Sequence, residues 1–340
     1  MVATLPMESL FADTPPPPQQ LPALAASVED VSVIGVSSGG YMATQLAVAW
    51  PERFAGLGVL AAGPWSCAQG SLGVALGQCM TTQRGMPDMQ ALEQRLASYR
   101  ERGLVGEAEA LASLRVYVWH GGADAVVEPR LGEALVEQFQ GWLSDPSQLQ
   151  WRRDADAGHG WPVDATLGKT DNRELADCHD AGPPYLLACD NDIAGDVLNW
   201  LHGDLTPPAD GETPGKLRRF DQGDYDARGL ADTGYLFVPK RCEEGGCMVS
   251  MALHGCNMTT EQIGEAFVGH TGLNAWAAEN RRIVLYPQAE TRLGNPQGCW
   301  DWWGYAESSW QLDPMHDSRQ GTQTRALMAM LQRLQEKPAR

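Results

Sequence analysis

No run of apolar residues in this 340-residue chain approaches the roughly 20 that a membrane-spanning helix needs. Basic residues are scarce: 25 Lys and Arg stand against 43 Asp and Glu, a formal net charge of −18. That balance argues against a nucleic-acid partner, which is gripped through its phosphates. The acidity itself implies solubility and nothing about function. No C-x-x-C pair occurs, and no cysteine has a histidine at zinc-ligand spacing, so no metal site is expected. No internal repeat stands out. The first residues carry neither a basic n-region nor an apolar h-region, so no signal peptide is visible in the sequence itself.

What is present is a hydrophobic content of 43%, enough for a real core, and eight cysteines. An even count favours disulfides and an oxidising compartment, so a secreted or periplasmic location is expected; eight buried free thiols in a reducing cytosol are the alternative. Pairing neighbours in sequence suggests Cys67–Cys79, Cys178–Cys189 and Cys242–Cys247 as short loops and Cys256–Cys299 as a longer one. This is a preference among many possible connectivities. The stretch TPPPPQQ, residues 14–20, reads as part of a flexible Pro-rich leader over residues 1–27.

Along the chain, VSVIGV (31–36) and GLGVLAAG (56–63) read as buried strands, with helical spacing between them in YMATQLAVAW. Residues 64–113 resemble an insertion above a sheet. LRVYVWHGGAD (114–124) is strand and loop, followed by a helix through Trp142. QLQWRRDADAGHGWP is a short strand and loop, and residues 191–203 form a helix ended by Gly203. The Pro- and Gly-rich segment at about 204–216 reads as a linker. Strands then recur at LRRF, YLFVPK, MVSMALHG and RIVLYP, with a helix around 273–280 and a final helix from Thr322. Such alternation implies an α/β fold with a mostly parallel sheet flanked by helices.

Gly35-Val36-Ser37-Ser38-Gly39 fits G-x-S-x-G between a β-branched strand and a helix, the context of a nucleophile elbow. Ser37 is therefore the candidate nucleophile. A serine needs a base, and the base an orienting carboxylate. Asp124 follows a strand on a loop, and His159 lies between glycines in DAGHGWP. Ser, then Asp, then His, each after a strand, is the hydrolase order. His120 at a strand end, His179 between cysteines and His202 in a helix fit the base less well, and Asp154 and Asp156 read as solvated. An oxyanion hole needs two backbone N–H groups. One is expected from Ser38. The other normally follows a His-Gly turn after the third strand, which nominates Cys256 in VSMALHGC (249–256). That segment lies more than two hundred residues after the nucleophile instead of before it. Circular permutation resolves the order: residues 217–337 carry the first half of a hydrolase and residues 31–203 the second.

GVSSGGYMA, HGGAD, GHGWP, PYLLACDNDIAGDVLNWLHG, ALHGCN and NPQGCWDWWGY together resemble the poly(3-hydroxybutyrate) depolymerases, in particular their single-domain, circularly permuted type. The resemblance runs from about residue 28 to the end. It implies a circularly permuted α/β-hydrolase as one catalytic domain over 28–340, a Ser37/Asp124/His159 triad, and hydrolysis of polyester or oligoester bonds without a cofactor. The chain is expected to act as a monomer. The family reading puts one or more of Trp300, Trp302 and Trp303 beside the active-site crevice, with Trp302 and Trp303 pointing different ways and Trp161 as a further substrate-binding candidate. Core packing around Cys256–Cys299 is the competing role for these rings, and Tyr41 could equally be helix packing. An acetyl or feruloyl esterase acting on plant polysaccharide is the alternative enzyme. A hydrolase fold without activity that binds carbohydrate or polymer is the alternative from another class.

Overall fold

The computed structural model describes residues 17–164, 175–209, 213–307, 310 and 313–338. Its β-branched runs become the strands β1 (Gln19–Gln20), β2 (Ser32–Val36), β3 (Gly56–Leu60), β4 (Arg115–Gly121) and β5 (Leu149–Asp154), then β6 (Trp161–Val163), β7 (Ala176–Asp177) and β8 (Leu186–Ala188), and finally β9 (Gly215–Asp221), β10 (Thr233–Pro239), β11 (Met248–Leu253) and β12 (Arg282–Tyr286). The main helices are α1 (Ser38–Ala49), α2 (Met89–Glu101), α3 (Pro129–Trp142), α4 (Ile193–His202), α5 (Leu273–Glu279) and α6 (Thr322–Gln335). Nine strands form one sheet in the order β1-β9-β10-β12-β11-β2-β3-β4-β5, with β6-β8-β7 a small second sheet. Among the described strands, only β10 runs against its neighbours. The architecture is a mostly parallel sheet flanked by helices.

Alternate residues of the central strands face two separate cores. Val33, Val116, Val118, Val249 and Met251 pack on one side with Met42 and Leu46 of α1, Leu135 of α3 and Leu327 of α6. Ile34, Tyr117, Trp119 and Val284 pack on the other with Val197 and Leu198 of α4 and Trp276 of α5. Burial on both faces is why these strands are mostly apolar, with a few buried polar residues such as Ser32, Ser250 and His120 among them. The join between β11 and β2 is in register from Ser250↔Ser32 to Leu253↔Gly35. Buried Ser32 and Ser250 share a hydroxyl hydrogen bond there at 2.8 Å. So the strand entering the His-Gly turn lies beside the strand entering the serine turn. Counted from β9 round to β5, the order across the sheet is 1-2-4-3-5-6-7-8, with the third and fifth strands adjacent. This is the hydrolase arrangement opened at another point, as the permutation reading requires.

The leader expectation needs correction. Residues 1–16 lie outside the described residues, but from Gln19 the chain is packed. Gln19 and Gln20 pair in parallel with Phe220 and Asp221. Leu21 and Ala26 are buried, and the N–H groups of Leu24 and Ala26 donate to the Leu334 carbonyl at 3.1 and 3.0 Å. The apolar Leu-Pro-Ala-Leu run after the prolines has a hydrophobic seat beside α6, and β1 shields part of the β9 edge. The linker expected at about 204–216 is also shorter, since Gly215 already begins β9; residues 210–212 lie outside the described residues.

Candidate active site

Ser37 sits between β2 and α1 with φ 56° and ψ −122°, a strained conformation for a residue with a side chain. The sharp turn is possible because two neighbours are glycines. A Cβ at Gly35 would lie 2.0 Å from the Gly39 carbonyl oxygen, and one at Gly39 would lie 2.2 Å from that of Leu253. The second contact also brings α1 against the end of β11. A Cβ at Gly255 would come 3.1 Å from the Ser37 Cβ, so the His-Gly turn abuts the serine. Among the described residues, no hydrogen-bond acceptor partners the backbone N–H of Ser38 or of Cys256.

Asp124 follows β4. Its Oδ1 accepts the backbone N–H groups of Val126 and Val127 at 2.8 and 2.9 Å, a side-chain-closed turn that fixes the carboxylate. Its Oδ2 accepts from His159 Nδ1 at 2.7 Å, and both side chains are buried. Burial alone would push this carboxyl up, yet His159 and His120 outweigh it and hold Asp124 well below the usual carboxylate range. His159 stands on the loop between β5 and β6. That loop is held at both sides by the segment closed by Cys178–Cys189: the Gly158 N–H donates to the Cys178 carbonyl at 2.7 Å and the Trp161 N–H to that of Tyr185 at 2.8 Å. Ser37, Asp124 and His159 all lie at the C-terminal ends of parallel strands, where open α/β sheets place their ligands.

All four disulfides join the cysteines paired above: Cys67–Cys79, Cys178–Cys189, Cys242–Cys247 and Cys256–Cys299. A cavity of about 210 Å³ is lined by Cys256, Cys299, Trp302, Trp303, Pro296, Leu72, Leu76 and Met80 among others. Trp302 stacks on Tyr41 with centroids 4.4 Å apart, so one face is packed while the ring still borders the cavity. Trp303 stands at 85° to Trp302, and both rings border the cavity. Trp300 is wholly buried, with its indole N–H on the His254 carbonyl at 3.0 Å. Trp161 departs from expectation. It is 0% exposed, lies edge-on to Phe267 and donates to the Thr271 carbonyl at 3.0 Å, leaving no ring face for a substrate unit. A wider groove of about 500 Å³ around Gln20, Tyr225 and Arg333 lies at the far edge of the sheet and holds none of these groups.

Sequence reasoning passed over two features. His120 is fully buried and its Nε2 lies 3.3 Å from Asp124 Oδ2. The cavity wall formed by Leu72, Leu76 and Met80 falls in the segment read only as an insertion, although the four-residue spacing was a visible signal. His179 and Asp156 are exposed, and His202 pairs with Asp30 at the end of α4.

No family model matches the chain. A poly(3-hydroxybutyrate) depolymerase of Delftia acidovorans is 33% identical over 320 residues, covering 92% of this chain and 61% of its own length, so the chain spans about three fifths of that relative. A polyhydroxybutyrate depolymerase of Talaromyces funiculosus is 36% identical over 304 residues, 85% of this chain and 86% of that protein. Two solved structures are similar throughout: a PHB depolymerase from Penicillium funiculosum with a TM-score of 0.82, and a PHB depolymerase carrying a serine-to-alanine change and complexed with an R3HB trimer, with a TM-score of 0.83. Each is 32% identical and covers 93% of this chain and 98% of its own.

Proposed function

The chain belongs to the poly(3-hydroxybutyrate) depolymerase family, and from that membership we propose that it hydrolyses ester bonds of poly(3-hydroxybutyrate) or its oligomers through a Ser37/His159/Asp124 triad. The observation that carries the reading is the buried His159 Nδ1–Asp124 Oδ2 contact of 2.7 Å in the same layer of strand ends as the strained Ser37 turn. With Nδ1–H committed to the carboxylate, His159 Nε2 is the nitrogen that takes the Ser37 proton as Oγ attacks the ester carbonyl. The developing oxyanion is received by the Ser38 and Cys256 N–H groups, each such donor being worth roughly 2.7–4 kcal/mol in comparable sites. His159 returns the proton to the departing 3-hydroxyl group, and water, activated by the same nitrogen, releases the acyl group from Ser37. No step calls on a metal or an organic cofactor.

The cavity beside Cys256 takes the methyl-bearing acyl units. Its walls are largely apolar, and Leu72 and Leu76 beside it are half exposed, a surface on which a polyester chain can settle. A structural neighbour holding an R3HB trimer supports an oligoester substrate. Residues 28–340 act as one catalytic unit, with residues 19–26 packed onto it through β9 and α6, as a monomer. Four disulfides suit an oxidising compartment, so the protein works secreted or in a periplasm.

The test is soluble 3-hydroxybutyrate released from a poly(3-hydroxybutyrate) film, beside Ser37→Ala and a short nitrophenyl ester. Release that vanishes in the variant is expected. Ester cleavage without film release would move the substrate to oligomers or acylated polysaccharide. Silence on both from folded protein would overturn the enzyme reading.

A further inference from the structure

We propose that His120 is a positioning residue for the Asp124–His159 pair: its Nε2–H, bonded to the Val127 carbonyl and 3.3 Å from Asp124 Oδ2, holds the carboxylate in the plane His159 needs. The inference rests on the triad proposed above and concerns a histidine that the triad does not use.

His120 is the penultimate residue of β4 and is 0% exposed. Its Nε2 lies 2.9 Å from the Val127 carbonyl oxygen and 3.3 Å from Asp124 Oδ2. Both oxygens can only accept, so the ring hydrogen must be on Nε2. The other nitrogen agrees with this. Nδ1 has no hydrogen-bond partner among the described residues, and Gly132 of α3 lies so close that a Cβ there would sit 2.4 Å from it. No acceptor fits into that space to receive a hydrogen on Nδ1.

The consequence is asymmetric support of the carboxylate. Oδ1 is pinned by two backbone N–H groups of its own turn. Oδ2 carries the catalytic contact, and with His159 as its sole donor it could swing about the pinned oxygen and out of the imidazole plane. His120 Nε2–H, bonded to the Val127 carbonyl, is the second polar N–H beside that oxygen at 3.3 Å, and it comes from β4 rather than from a loop. The Asp124 charge bears in turn on Tyr41 of α1, whose hydroxyl is pushed up chiefly by burial and also by Asp124, and so stays neutral beside it. When His159 becomes an imidazolium, Asp124 must stay ionised and coplanar with it, and a donor from β4 favours that state throughout the cycle.

Two measurements test this. In the unaltered protein, selective ¹⁵N labelling of the seven histidines reads the tautomers directly. A protonated Nε2 and bare Nδ1 at His120 is expected, and the opposite tautomer overturns the proposal. In kinetics on a soluble nitrophenyl ester, His120→Leu should lower kcat roughly ten- to a hundredfold with KM unchanged. Its kcat/KM acid limb should also move to higher pH, because a carboxylate that has lost one donor binds protonated His159 more strongly. His120→Gln, whose amide N–H can stand in for Nε2–H, should recover most of kcat and return the limb. Folded His120→Leu with the parent kcat and limb overturns the proposal while leaving the triad intact, provided Asp124→Asn is inactive beside it. An active Asp124→Asn overturns both. Should His120→Leu fail to fold, the tautomer in the unaltered protein decides.

Discussion

The segment proposed to bind the oxyanion depends on where one proton sits. His254 Nε2 is the acceptor for the Ala289 N–H at 3.1 Å, so the ring hydrogen is on Nδ1, which donates to the Gly255 carbonyl at 2.7 Å. A second proton would put an N–H against the Ala289 N–H. Burial pushes the His254 pKa down to about 4, and the bond to Gly255 opposes this only in part. A folded-state pKa below the unfolded one means that the contribution is complete above pH 6.5 and is lost as pH falls from there towards 4. At full extent that amounts to something on the order of 3 kcal/mol. His202, also pushed down chiefly by burial, acts in the same direction. Urea midpoints should therefore drop between about pH 7 and pH 4.5, and His254→Gln should flatten the fall. A variant with the parent's full pH dependence would place the effect elsewhere. Legibility at this scale follows the same logic of neighbours. Asp124 and His159 could be picked out because each stands at a strand end in a Gly-punctuated loop. Trp161 misled because its role is set by Thr271 and Phe267, more than a hundred residues away, which close over it. His120 was hidden for a related reason: nothing local in HGGAD shows that the ring turns back onto its own loop.

Elements decide how far the site can move. The turn carrying the Ser38 N–H is fixed by β2 and α1, whereas the turn carrying Cys256 leaves β11 and is tied across 43 residues to Cys299. Beyond that bridge, Asn295 accepts the Cys299 N–H at 3.0 Å and donates to its carbonyl at 2.8 Å, so the tether is anchored in a rigid loop. The double variant Cys256→Ser/Cys299→Ser should lose about 2–4 kcal/mol of stability, the usual yield of closing such a loop. It should also lose activity well beyond what unfolding explains, towards the hundredfold associated with one displaced oxyanion donor. Thermal melts beside kcat on a soluble ester check this, and full activity in the folded fraction would show that the strand end alone positions the amide. The central strands could be read from sequence because burial on both faces makes them predominantly apolar and β-branched. The short strands β1 and β6–β8 could not, since two or three residues carry no periodicity and are strands only by virtue of the partner beside them.

For the molecule as a whole, the order of segments is a consequence of where the chain is opened rather than of how it packs. The permutation was visible because two motifs with a fixed spatial relation, the His-Gly turn and the serine elbow, appeared in the wrong sequence. It is the register between β11 and β2 that joins them in space. The same logic makes the arrangement reversible. The backbone of residues 24–26 hydrogen-bonds to the carbonyls of Leu334 and Glu336, so the two ends of the described chain run side by side. The segment around Pro207 and Pro208 enters β9 from the surface, with Thr206 tied to Asn280 just before it. A chain joined from Lys337 to Gln19 through a short Gly-Ser linker and opened between Pro208 and Ala209 would restore the usual hydrolase order while keeping every strand pairing. It is expected to fold, to form the same four disulfides, and to cleave a soluble ester within about tenfold of the parent, because opening and closing surface loops costs little when the ends are already close. Disulfide mapping and kcat on the rejoined chain test this. A folded but inactive product would mean that the present opening helps to position the site, most directly through the packing of residues 21–26 against α6.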